Sequence, residues 1–110
     1  MPRTVYTATI LAGETLSSSV DLSVGTASLI FLPEAWTPAL LSFQASPDNT
    51  DFADLVDLDM REISINVTPG TAIHANWIPA GVGWLKFRSG SRDHAVIQTA
   101  SRVFTIAINT

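Results

Sequence analysis

The feature that most limits what this chain can become is the two-residue repeat of its apolar side chains. Ile63, Ile65 and Val67 fall on one side of an extended backbone, while Glu62, Ser64 and Asn66 fall on the other. Phe104, Ile106 and Ile108 alternate in the same way with Val103, Thr105, Ala107 and Asn109. Leu41, Phe43 and Ala45 alternate with Ser42 and Gln44, and Leu85 and Phe87 with Trp84, Lys86 and Arg88. Successive side chains of a strand point to opposite faces, so this spacing suits half-buried strands and gives a helix no continuous apolar stripe. Thr4 to Leu11, Leu16 to Val24 and Ala27 to Leu32 have strand character as well, and Thr71 to Ile78 has it more weakly.

Asp51 to Met60 is ambiguous. Phe52, Leu55 and Val56 would line one face of a short helix, but Phe52, Asp54, Val56 and Leu58 also keep step as a strand with its Asp residues exposed, and the strand is preferred. Turn residues separate the runs: Gly13, Gly25, Pro33 to Pro38, Ser46-Pro47-Asp48-Asn49, Thr68-Pro69-Gly70, Pro79-Ala80-Gly81 and Ser89-Gly90-Ser91. The pattern predicts an all-β chain, a single antiparallel β-sandwich that is jelly-roll-like with about eight strands, occupying residues 1–110 as one domain.

With 110 residues, 46% of them hydrophobic, the chain has enough apolar material for a core without covalent staples. It has no cysteine, which removes disulfides, thiol nucleophiles and thiolate metal sites together. Net charge is -4 with six basic residues, too few to neutralise a run of phosphates, so no nucleic-acid partner is expected. The longest apolar run, Ala27 to Pro33, is far short of the ~20 residues of a spanning helix, and no apolar run of leader length follows Arg3. Neither a membrane partner nor secretion is expected.

The chemistry-bearing residues form no strong motif. Asp48, Asp51, Asp54, Asp57 and Asp59 with Glu62 supply oxygen ligands of the kind that calcium takes, but their spacing lacks the Gly and the terminal bidentate Glu of an EF-hand. A solvated acidic hairpin is the preferred reading, with no metal and no cofactor expected. His74 and His94 are the only imidazoles. Asp93 stands next to His94 and eleven Ser are present, yet neighbouring strand residues face opposite ways and no nucleophile elbow occurs. No catalytic residue is assigned, and the chain is expected not to be an enzyme.

Three tryptophans remain, because aromatic rings anchor interfaces and stack on sugars. Trp36, between Pro33 and Pro38, reads as closing one end of the core. Trp77 follows His74-Ala75-Asn76 near a turn, and Trp84 shares a strand side with Lys86 and Arg88, opposite Leu85 and Phe87. Trp77, Trp84 and Arg88 are therefore the candidate partner-binding residues, with ordinary core packing the preferred reading of each tryptophan taken singly. The concentration of Lys86, Arg88, Arg92 and Arg102 in the last quarter, against an acidic middle, would orient identical subunits or a subunit and its scaffold. The Met1 to Thr9 segment reads first as the opening core strand, with strand addition to a neighbour as the alternative.

Leu41-Ser42-Phe43-Gln44-Ala45-Ser46-Pro47-Asp48 followed by Phe52-Ala53-Asp54-Leu55 resembles the strand, Ser-x-Asp turn and aromatic-bearing strand of galactose-binding-like (discoidin-type) jelly rolls. Gly83-Trp84-Leu85-Lys86-Phe87-Arg88-Ser89-Gly90 is similar to a later strand of that fold. There the Asp and Asn residues would close the hairpin and Phe52 would return to the core. From Leu11-Ala12-Gly13-Glu14-Thr15-Leu16 through Leu32-Pro33-Glu34-Ala35-Trp36-Thr37 to Phe104-Thr105-Ile106-Ala107-Ile108, the chain also resembles small β-sandwich structural proteins of tailed bacteriophages. That resemblance implies a virion component on the capsid surface, a decoration or cement protein whose partners are the major capsid protein or other virion proteins. It also implies a homo-oligomer. A head-fibre, tail or adaptor part, or a module displaying a glycan-binding surface, is the alternative.

Overall fold

The computed structural model describes residues 3–23, 25–75, 77–78 and 83–109. Met1 and Pro2 of the amino-terminal arm, Val24 of the expected Leu16 to Val24 strand and Asn76 of the Thr71 to Ile78 run lie outside them. The described residues contain no helix. Their nine strands are β1 (Arg3–Ile10), β2 (Val20–Asp21), β3 (Thr26–Phe31), β4 (Leu40–Ser46), β5 (Ala53–Asp54), β6 (Ser64–Asn66), β7 (Ala72–His74), β8 (Trp84–Ser89) and β9 (Arg102–Asn109).

The strands form two antiparallel sheets, β1-β9-β3-β7 and β2-β8-β4-β5, with β6 beside β5 along the same side of β4. The pairs nest: β1 with β9, β2 with β8, β3 with β7, and β4 with β5 and β6. Alternate pairs go to opposite sheets, and the β3–β9 and β4–β8 ladders close the roll. This is the strand order of a jelly roll, the architecture expected from short strands punctuated by turns.

The inward halves of the alternating strands meet in one aromatic seam. Phe43, Phe87 and Phe104 are fully buried. Phe87 of one sheet stacks on Phe104 of the other with centroids 4.8 Å apart, and Phe43 meets Phe87 edge-on at 5.7 Å. Burying each ring contributes roughly 1.5–3 kcal/mol, and each aromatic pair about 0.5–1.5 kcal/mol more. Trp36 closes one end against Phe104, its ring 5.6 Å away and its Nε1 donating to the Ala39 carbonyl. One irregularity keeps β3 in step: Ala27 and Ile30 both point inward because the register shifts between Ala27 and Leu29, and Ser28 Oγ donates to Ala107 O at 3.1 Å.

Three expectations change. The strand expected through Leu58 stops at Asp54, with one more bridge between Val56 and Glu62. Asp57 ends it: its Oδ1 accepts the N–H groups of Asp59 and Arg61 at 2.8 and 3.0 Å, and this local bonding competes with the ladder. Phe52 does not return to the core. It shares its side of the strand with Asp54, and there Lys86 Nζ sits 4.4 Å from its ring centre. Of the described residues Leu16 to Ser23, only Val20–Asp21 is strand, because the segment crosses between sheets: Ser17 bridges Ile10 and Leu16 bridges Arg88.

The connection from Ser89 to Arg102 is pinned by one buried side chain. Gln98 is fully buried, accepts from Thr37 N–H and Arg102 Nε at 2.9 Å each, and donates to Thr37 O and Ser89 Oγ at 3.0 and 2.7 Å. Gly90, at φ +93°, starts this connection where an added Cβ would stand 2.2 Å from His94 O, whereas Gly13, at φ +84°, has open space around it. Left-handed backbone alone costs an alanine roughly 1–2 kcal/mol. Gly13→Ala is expected to lose about that much. Gly90→Ala should lose clearly more, because backbone must also move; equal urea midpoints for the two variants would contradict this packing.

Candidate interaction surface

The two outer faces of the sandwich differ in chemistry. On the β8–β4 sheet, alternation places Trp84, Lys86 and Arg88 outward, opposite Ser46, Gln44 and Ser42 of β4. Arg88 nevertheless is only 6% exposed. Its Nε donates to Ser42 Oγ at 2.9 Å, Nη1 to Asp54 Oδ1 at 2.6 Å, and Nη2 to Glu62. Ser42 Oγ donates onward to Gly90 O at 2.6 Å, and the same Glu62 oxygen accepts the Arg92 N–H at 2.9 Å. The β5–β6 hairpin thus folds two carboxylates over the arginine, which clamps β4, β5, β8 and the turn after β8 together. The donating guanidinium also holds the Asp54 carboxyl below its ordinary range.

The structure does not gather the three expected contact residues into one site. Trp84 and Arg88 stand on one side of β8 but about 13 Å apart along the strand. Trp77 belongs to the core margin, with its ring 5.1 Å from Phe43 and its Nε1 donating to His74 O at 2.8 Å, though 37% of the residue remains exposed. Arg88, expected beside Trp84 on a half-exposed face, has its donors engaged internally. Arg102 likewise bonds to Gln98 and Thr37, so the lengthwise charge asymmetry is partly consumed within the fold.

The other candidates are also spread out. Asp48 closes its own turn, accepting the N–H groups of Thr50 and Asp51 at 2.9 and 3.0 Å and the Ser46 hydroxyl at 2.9 Å, which lowers its pKa. That is the hairpin closure expected of the Ser-x-Asp turn. Among the described residues no three of His, Asp and Glu converge as metal ligands. His74 lies on β7 of one sheet, and His94 in the turn after β8 of the other. Three surface grooves of about 450, 420 and 470 Å³ hold at most one acid and one base each, Glu34 with Arg102 in the second and Glu14 with Lys86 in the third.

The outer face of the β1-β9-β3-β7 sheet is different. Register places Val5, Ala107, Leu29 and His74 in one row, Thr7, Thr105, Phe31 and Ala72 in the next, and Thr9 beside Val103. These three rows contain no acid, lysine or arginine. Val5, Phe31 and Val103 are 55%, 42% and 48% exposed. Alternation put these side chains opposite the core strands, but only the pairing of β1, β9 and β3 brings them onto one surface.

The Arg88 clamp yields two measurable consequences. Arg88→Met should cost about 3 kcal/mol, the low end for breaking a buried pair, because Asp54 keeps some contact with water. Asp54 has a folded-state pKa below its ordinary ~3.9, so it stabilises above that pH and the contribution is lost as pH falls through the lower folded value. The stability gap between the parent and Asp54→Asn should therefore be constant near neutrality and shrink below about pH 4, as read from denaturation midpoints at several pH values.

No family model matches the chain, and no curated protein is similar to it. Among solved structures it is similar to Peruvianin-I, a cysteine peptidase from Thevetia peruviana latex, at 17% identity and a TM-score of 0.53. The match covers 98% of this chain and 50% of that one, so this chain spans half the length of that protein. Likeness at this identity concerns the fold alone. This chain contains no cysteine, so a thiol nucleophile is not carried over.

Proposed function

We propose that this chain is a non-enzymatic structural protein of a phage virion, a capsid decoration or cement protein that binds the major capsid protein and stabilises the head. The observation that carries the reading is the uncharged outer face around Val5, Leu29, Phe31 and Val103. A sheet face turned to water ordinarily alternates polar side chains outward, and an apolar patch on it marks a surface that is covered in use. The resemblance to small phage β-sandwich proteins supplies the identity of the cover.

The energetics fit a repeated rather than a solitary contact. Four strands of about five residues give a face of roughly 300 Å² in plan. A specific interface usually covers about 800 Å² per partner. One copy would therefore hold weakly, and the symmetry of a shell would add avidity by presenting many equivalent sites.

Purified virions provide the test. A decoration protein should be present on the order of hundreds of copies per particle, following the shell's symmetry. A dozen or fewer would move it to the tail, fibre or portal vertex, and absence would reject the proposal. Phe31→Asp, at an exposed position, should leave folding intact and lower capsid occupancy at least tenfold, about 1.4 kcal/mol.

A further inference from the structure

The strand β1 is an edge of its sheet and differs from the other margins among the described residues. β2, β5, β6 and β7 are two or three residues long, and short edge strands are one way in which sheets avoid pairing with other chains. β1 runs for eight residues. From Thr4 to Ile10 it has no proline, no charge and no irregularity in its register with β9. Of the devices that blunt an edge, cover by another segment is used only at its end, where Thr9 and Ile10 meet Ser18 and Ser17.

One contact fixes the direction of its backbone groups. Thr9 turns away from β9: its N–H donates to Ser18 Oγ at 3.2 Å, and its C=O accepts the Ser18 N–H at 3.1 Å. The polar groups of successive residues alternate sides, so Thr7, Val5 and Arg3 direct theirs toward the same open margin. Val5 and Thr7 make no backbone hydrogen bond on that side among the described residues.

We propose that a second copy of this chain pairs with β1, antiparallel, across a two-fold axis at Val5. In that register Val5 exchanges both backbone hydrogen bonds with Val5 of the second copy, and Arg3 stands opposite Thr7 of the second copy. Moving the axis to Tyr6 would set Arg3 against Thr9 of the second copy, where Ser18 is already bonded. The two sheets of four strands become one continuous sheet.

A copy fits this edge because a two-fold contact needs a self-complementary surface. The Val5 side chain, now largely in water, would meet its counterpart and extend the row of Leu29, Ala107 and Val5 across the axis. Charge permits the approach. Six of the ten acidic residues lie from Asp48 to Glu62, along the β5–β6 side of β4; β2, which packs beside β1, carries Asp21, whose carboxylate accepts the N–H and hydroxyl of Ser23. The pairing does not depend on the capsid reading.

The full chain in solution should sediment at twice its 11.8 kDa mass. Thr7→Pro removes an N–H that faces the open margin rather than β9, so it should weaken association at least tenfold. Should that variant not fold, cysteine placement decides, since the parent has no thiol. Val5→Cys, treated with a short bis-maleimide, should crosslink into dimers far faster than Phe31→Cys, an exposed position on the same face. A parent chain that sediments as a monomer overturns the proposal, as does a dimer in which the two cysteines crosslink equally. Amides of Val5 and Thr7 that become protected from exchange only when capsid protein is added would assign the edge to the shell and likewise overturn the copy pairing.

Discussion

The packing of Phe87 on Phe104 across the space between the sheets is the contact on which the rest of this molecule depends. Each ring belongs to a strand with neighbours on both sides, β8 between β2 and β4, and β9 between β1 and β3. When the two rings meet, four ladders are brought into register at once. The surfaces then follow from parity: what faces away from Phe104 on β9 is Val103, Thr105 and Ala107, and what faces away from Phe87 on β8 is Lys86 and Arg88. A shift of one residue in either strand would exchange core and surface completely.

The two outer faces show how the same alternation leads to opposite outcomes. On the β8–β4 sheet, the outward arginine is covered by a hairpin that carries its own carboxylates, so the charge serves cohesion rather than contact. The price in desolvation is met because each donor finds an acceptor, and no buried side-chain polar atom among the described residues lacks a partner. On the β1–β9–β3 sheet, Val5, Phe31 and Val103 face water with no hairpin folded over them, while Ala107 between Val5 and Leu29 is buried. Cohesion is thus concentrated on one face, and the capacity to associate on the other.

Much of this fold could be read from the sequence because burial on one side of a strand leaves a period of two that needs no knowledge of partners. β4, β6, β8 and β9 lie where the alternation puts them, and β1 and β3 where β-branched and continuous apolar runs put them, within a residue or two. Boundaries failed where a side chain acted on its own backbone, as Asp57 does, or where the chain changed sheets, as at Leu16 and Ser17. The site was far less legible. Trp77, Trp84 and Arg88 were selected by residue type, but whether an outward residue is exposed depends on which hairpin crosses it, and that depends on the β4–β5 register rather than on any local pattern. The uncharged face was written in Val5, Phe31 and Val103 from the start, yet those positions are up to 98 residues apart in number and became neighbours only through the ladders.

The nested order of the ladders also governs how this polypeptide can be made. β1 leaves the ribosome first and its partner β9 last, and β2 waits nearly as long for β8. Folding must therefore close its longest loops before most of the sheet can form, which slows the search and keeps early segments unpaired throughout synthesis. During that interval the neutral run from Thr4 to Ile10 stays without its partner strand, an uncharged, β-prone segment open to pairing with other chains until β9 has been made.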